Sequence, residues 1–306
     1  MIDPAELLAA VAPDRTVEAT ETVARGNHKR TTRVTFADGD RAVLQQSSDA
    51  DALETEVALV AAVADRTAVP VPAVLASDTR DGDGYALFER APGSDLHEVF
   101  STLAPARQQA IARTFGRSLA ALHGAFRFER CGAVTAAGEG LTATGPDDCA
   151  AWLGTHAREG VAALPSAFDA QRDRLLAAFE TVPVPEGPPR LYPWDLRPGN
   201  ALVADGSVTA VVDWGGPLSA PLGVALAKTE HLVAEWYAAD PAPLAEALRG
   251  GYRSVRPLPA VPDEYRLLAV VRSAVDSRGE VTRPRYPELT GADAVAFHRE
   301  RIDRLL

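Results

Sequence analysis

The segment from Trp194 to Gly215, WDLRPGNALVADGSVTAVVDWG, restricts the fold more than any other part of the chain. Asp195 and Asn200 stand at a D-x-x-x-x-N spacing around Pro198-Gly199, so a tight turn can bring both side chains to one side of a loop. Two β-rich runs then flank Asp205-Gly206, which predicts a short hairpin that delivers Asp213 at the end of a strand. Taken singly, these residues are ordinary turn-formers. The constraint lies in their order: a loop, a hairpin, then a carboxylate followed by Trp214-Gly215.

The flanking sequence divides in two. From Val17 to Gln46 the residues alternate as strands do, with turns expected at Gly26-Asn27 and Asp38-Gly39. Ser48 opens a stretch in which Leu53, Val57, Val60 and Val63 recur at helical spacing. PAVLASD and GYALFERAPG predict two further strands, and Asp3-Pro4 with Glu6 predicts a capped helix at the start. After Pro92-Gly93 the pattern turns helical, with Ile111, Phe115, Leu119 and Leu122 on one face of a long helix. A Gly/Thr-rich loop is expected over Gly132–Pro146, helices around Trp152 and Leu175–Phe179, and a proline connector over Pro183–Pro189. About three helices should follow the central segment. The expected architecture is α+β in two lobes, a small β-rich one over residues 1–91 and a larger, mainly helical one over 92–306.

The bulk numbers narrow the function. A 306-residue chain that is 46% hydrophobic can bury a core without staples, and no apolar run reaches the roughly 18 residues that span a bilayer. The start, MIDPAELLAAVAPD, has acids where an export signal has bases, so a cytoplasmic protein is expected. A formal charge of -11 argues against a nucleic-acid partner. Cys131 and Cys149 lack metal-site spacing and are expected to be reduced packing residues. There is no GxSxG elbow and no zinc pattern. Lysine is almost absent, with only Lys29 and Lys228, while arginine is plentiful.

Phosphoryl transfer from ATP needs a carboxylate to orient the acceptor hydroxyl and side-chain oxygens to hold magnesium against the phosphates. Asp195, Asn200 and Asp213 supply those groups in that order. Here the sequence resembles the aminoglycoside phosphotransferase and choline kinase-like family. Trp194–Val203 is similar to its HGDLHPGNVLV signature, and Val211–Trp214 to its VxxVIDWE element. The resemblance implies a protein kinase-like fold, ATP and Mg2+, and a small-molecule hydroxyl as acceptor. It implies Asp195 as catalytic base and Asn200 and Asp213 as magnesium ligands. GNHKRTTRV resembles the phosphate-covering hairpin, which would bring Gly26, Asn27 and Lys29 to the nucleotide; VPVPAVLASD resembles the strand after the first helix, and Leu122-His123 the helix before the substrate region. The nucleotide would lie against the Glu89-Arg90-Ala91 linker. Trp152, Glu230, Glu235, Trp236 and Tyr237 fall where pocket residues arise, although aromatics and acids on helices are ordinarily core, rim or surface. His123 reads as a packing or helix-end histidine.

Several positions depart from that pattern. The third strand usually carries a cation paired with a helix glutamate, but AVLQQ offers only Gln45 or Gln46, with Glu56 in the partner's place. Lys29 can substitute, with Arg30 and Arg41 as rivals. Pro193 replaces the signature histidine, Trp194 the glycine, Gly215 the final acid, and Val224 a later aspartate. These losses keep a second class open, a pseudokinase-like protein that binds nucleotide or ligand with weak or no transfer.

Overall fold

The computed structural model describes residues 2–23, 29–138, 140–283 and 285–306. Helix α1 (Pro4–Val11) starts on Asp3, whose carboxylate accepts the Ala5 N–H at 2.8 Å. It packs on an antiparallel sheet of order β1-β2-β3-β5-β4, formed by β1 (Val17–Val23), β2 (Arg30–Phe36), β3 (Arg41–Ser47), β4 (Val74–Arg80) and β5 (Asp83–Glu89). Strand alternation sorts the side chains. Val34, Phe36, Ala42 and Leu44 join Leu7 and Leu8 in a compact core on the α1 side. Val43 and Gln45 therefore face the other way, as does Thr31, the cross-strand partner of Gln45. Helix α2 (Ala50–Arg66), capped by Asp49, covers that second face with Leu53, Val60 and Val63 against Ala86 and Phe88.

The chain continues through β6 (Ser94–Asp95), α3 (Leu96–Val99), α4 (Pro105–Ala125), β7 (Gly132–Ala137), β8 (Gly140–Thr144), α5 (Cys149–Ala163), α6 (Asp169–Ala178), β9 (Arg190–Tyr192), β10 (Ala201–Ala204), β11 (Ser207–Val211) and β12 (Leu218–Ala220). It ends with α7 (Leu222–Glu230), α8 (Ala242–Arg253), α9 (Asp263–Val271), β13 (Thr282–Arg283), β14 (Leu289–Thr290) and α10 (Gly291–Leu305). The result is α+β, β-rich first and helical after, and no described helix is long and apolar enough to cross a membrane. The hairpin expected at Asp205-Gly206 joins β10 to β11, and β6 adds a third strand beside β10.

Two expectations are corrected. Gly132–Pro146 holds the hairpin β7–β8 rather than a loop. Its strands are built mainly from Ala, Thr and Gly, with Val134 and Leu141 as isolated larger apolar residues, so tertiary pairing decides: β7 joins β12, and the Ala136 N–H donates to Thr55 Oγ1 of α2 at 3.1 Å. The cysteines are bonded to each other, closing an 18-residue separation and tying the base of this hairpin to the start of α5. Among the described residues, four α-helices follow the central segment, with a π-helical turn over His231–Glu235 after α7.

Helices α4 and α8 approach so closely that only glycine fits at their crossing. A Cβ on Gly116 would lie 2.0 Å from the Leu248 carbonyl oxygen, and one on Gly251 2.1 Å from that of Arg113. Gly250, one residue away, has open space around it. Gly116→Ala is therefore expected to destabilise the protein by about 1–3 kcal/mol in chemical denaturation. Gly250→Ala should leave stability unchanged or raise it by about 0.5–1 kcal/mol. Equal behaviour of the two variants would contradict the crossing described.

Candidate active site

Asp213 ends the segment that begins at Asp195, and its backbone holds a left-handed conformation, φ 60. A non-glycine residue seldom adopts this shape unless its surroundings enforce it. They do so here: the Val211 N–H donates to Pro70 O at 2.8 Å, the Val212 N–H donates to Asn200 O at 2.8 Å, and the Trp214 indole donates back to Val211 O at 2.9 Å. Asn200 is buried, and its amide nitrogen donates to the Asp195 carbonyl at 3.0 Å. That bond orients the amide, leaving Oδ1 as a free-standing acceptor. Hydrogen bonds thus connect Asp195 to Asn200 and Asn200 to the backbone beside Asp213.

Glu56 lies in the apolar stripe of α2 with Leu53, Val60 and Val63, and is 4% exposed. A buried carboxylate needs partners. Lys29 Nζ donates to its two oxygens at 2.9 and 2.7 Å, and the Trp214 N–H donates to Oε1 at 3.2 Å. The same ammonium reaches Asp213 Oδ1 at 3.2 Å. Burial works against the Lys29 charge, but Glu56 and Asp213 outweigh it and hold the pKa above the ordinary lysine value. Lys29 precedes Thr31 by two residues, so it lies on the face that Gln45 shares. Gln45 Oε1 is buried without a hydrogen-bond partner, whereas Gln46 points to the opposite face and donates to Ile2 O. The rivals fall away: Arg30 pairs with Gln46 and shares its face, and Arg41 lies exposed at the far end of β3. Gly26 and Asn27 lie outside the described residues. Glu89 ends β5 with an exposed side chain, and its N–H donates to Ala73 O.

A second cluster surrounds Asp195. Lys228 of α7 is 2% exposed, lies 3.4 Å from Asp195 Oδ1, and sits 3.1 Å above the Trp194 ring centroid. Arg197 Nε lies 3.5 Å from the other carboxylate oxygen. Burial alone would raise the Asp195 pKa, but these two cations hold it below the usual carboxylate range. Lys228 is pushed down to about 7 by burial, which Asp195 only partly offsets and Arg272 and Arg197 reinforce. Trp152 stacks on His156 at 4.8 Å, and His156 meets the edge of Trp194. His156 is pushed to about 3 by burial and by Arg272 and Lys228, so it is neutral.

The remaining sequence-predicted residues have other partners. Glu230 is bound by Arg249 at 2.5 and 2.7 Å and by Arg266 at 3.3 Å. Two positions on from Lys228, it points to a different side of the helix. Glu235 is held by His231 and Arg301. Trp236 is buried, donates to His231 Nε2, and packs its ring 5.6 Å from the Arg197 guanidinium. Glu230 and Glu235 form these ion pairs in the lining of a small cavity shared with His231, Arg266 and Arg301, while Trp236 packs in the core beside Arg197. His123 packs against the Tyr252 hydroxyl at 2.8 Å, as expected of a core histidine. Sequence reasoning missed Lys228, Arg197, His156 and Arg272. A signal for the first was present: the chain has two lysines, and both lie in this cleft.

The sequence profile of the Phosphotransferase enzyme family matches residues 20–268. No curated protein matches the chain. Among solved structures, a thermostable mutant of aminoglycoside phosphotransferase APH(4)-Ia in ternary complex with AMP-PNP and hygromycin B superposes with a TM-score of 0.69 at 16% identity. The overlap covers 98% of this chain and 96% of that one. Another mutant of that enzyme, with ADP and hygromycin B, gives 0.66 at 16% identity over the same shares. Macrolide 2'-phosphotransferase MphH from Brachybacterium faecium gives 0.59 at 20% identity, again over 98% and 96%. At these identities the likeness establishes the shared fold.

Removing Lys29 would leave Glu56 buried and charged. Lys29→Met is expected to lower stability by about 3 kcal/mol without ligand, measured by urea unfolding. Pairing it with Glu56→Gln should recover much of the loss. A Lys29→Met protein as stable as the parent would show that the pair does not form.

Proposed function

The chain belongs to the phosphotransferase enzyme family, and from that premise we propose that it transfers the γ-phosphate of ATP, with magnesium, to a hydroxyl of a small molecule. The observation that carries the reading is the hydrogen-bonded unit of Asp195, Asn200 and the backbone at Val212-Asp213. Asp195 is the base: its side chain is 29% exposed, and its low pKa keeps it ionised at neutral pH, ready to accept the proton of an acceptor hydroxyl.

The donor set suits magnesium. Asn200 Oδ1 and the Asp213 carboxylate are hard oxygens, too few to enclose an ion, as befits a metal that keeps waters and phosphate oxygens as its other ligands. No group of three or more acidic, His or Cys side chains able to hold a metal occurs among the described residues, which removes an all-protein cage from consideration there. When bound, magnesium supplies charge neutralisation at the phosphates. Lys29 supplies the cation that Gln45 does not, next to the metal ligand Asp213 and held by Glu56. The nucleotide lies between residues 1–91 and 92–306, taken as two lobes, with the Glu89 linker beside it. ATP use is consistent with a cytoplasmic protein, although the Cys131–Cys149 bond is uncommon in that compartment.

The acceptor side is cationic. Lys228 and Arg197 flank the Asp195 carboxylate, and Arg272 lies 5.1 Å from the Trp194 ring centroid, with Trp152 nearby. This favours an uncharged or anionic alcohol over a polyamine such as an aminoglycoside. The reading as a binding protein without transfer draws on Gln45, an uncharged amide whose Oε1 is buried without a partner, and the buried Val224; Lys29 in the vacated role weighs against it.

Magnesium and ATP together should raise the thermal midpoint, and Asp213→Ala should abolish the magnesium-dependent part. Across a panel of amino sugars, neutral sugars, choline and hydroxy acids, ATP turnover should fall by about 100-fold or more in Asp195→Ala. Turnover that survives in Asp195→Ala would remove the base assignment. A wild-type protein that ATP does not stabilise would remove the kinase reading altogether.

A further inference from the structure

Lysine is nearly excluded from this chain, yet one of its two lysines is buried where an ammonium is costly. The groups facing Lys228 come from several packed elements. Asp195 and Arg197 come from the central loop, Trp194 and Tyr192 from β9 and the turn after it, Arg272 from the end of α9, and the neutral His156 from α5. Only Asp195 among them is an anion, and two of the others are cations. A packing role alone would be served better by an apolar side chain. Arginine, the residue this sequence otherwise prefers, has a planar fork in place of a single compact charge. Trp194 completes the arrangement, because its ring face gives the ammonium a second attractive surface.

We propose that Lys228 is a positioning residue for the base: its ammonium, set between the Trp194 ring and the Asp195 carboxylate, keeps that carboxylate aimed at the acceptor hydroxyl. The inference rests on Asp195 acting as base in phosphoryl transfer. As the new bond between acceptor oxygen and phosphorus forms and the bond to the ADP oxygen breaks, the hydroxyl proton passes to Asp195. Lys228 keeps its own proton throughout. Because Lys228 loses that proton near neutral pH, its hold on the aim of the Asp195 carboxylate is present below pH about 7 and fades above it, while the carboxylate itself stays ionised.

The test uses the full chain, with magnesium and ATP, and water as acceptor, so that no substrate need be known. In Lys228→Met, kcat should fall by about tenfold or more while KM for ATP and the thermal midpoint stay close to wild type. The wild-type decline in kcat on the alkaline side should be absent from Lys228→Met. In Lys228→Arg, activity should persist to higher pH. Unchanged kcat and an unchanged pH profile in Lys228→Met would overturn the proposal. A second measurement does not depend on turnover. With [ε-13C]lysine the protein gives two signals, assigned through Lys29→Arg, and the Lys228 signal should titrate near neutrality and move to lower pH in Asp195→Asn. Insensitivity of that signal to Asp195→Asn would overturn the pairing. A protein that neither binds nor hydrolyses ATP, yet shows the coupled titration, would lose the phosphotransfer reading while keeping the pairing.

Discussion

One ammonium joins the two halves of the cleft. Lys29 grips Glu56 on α2 and reaches Asp213 at the end of the β10–β11 segment, while the Trp214 N–H closes the contact from the other side. Glu56 can occupy an apolar helix stripe only because these groups satisfy it. The strained backbone of Asp213 persists only because Pro70, Asn200 and the Trp214 indole hold the residues around it. Preorganised charge of this kind is what a phosphoryl-transfer site requires, since that reaction leaves a protein mostly positioning and electrostatics to perform.

The position of Lys29 follows from strand geometry. Adjacent antiparallel strands present one shared face, so a cation two residues before Thr31 on β2 can project into the region that position 45 of β3 faces. On the proposed reading, the cation sits one strand sideways while Glu56 keeps the partner's place. A comparable exchange occurs around Asp195, where a glycine of the family signature is Trp194 and the ring covers Lys228.

Much of the fold was legible because periodicity and turn chemistry agreed. Asp3 and Asp205-Gly206 mark element boundaries as expected, the cap of α2 is Asp49, one residue after the Ser48 read from the sequence, and α2 and α4 bury the stripes their sequences display. The β7–β8 hairpin was hidden because its small Ala and Thr residues carry no strand alternation, and its partner strand β12 lies far along the chain. The cysteine bond was hidden for a related reason, since that hairpin alone brings the two residues together. In the site, the loop-hairpin-carboxylate order could be read because it is local. The destinations of Glu230 and Lys228 could not, because two residues on one helix point to different neighbours and only packing decides which faces the cleft.

The account turns on Lys29 performing the role of the missing cation in the third strand. The direct measurement is the affinity of magnesium and ATP, by calorimetry, for the wild type, Lys29→Met, and Lys29→Met combined with Gln45→Lys. Loss of a charge-assisted contact should weaken binding in Lys29→Met by about tenfold or more, and a lysine at position 45 should restore most of it. Wild-type affinity in Lys29→Met would contradict the account.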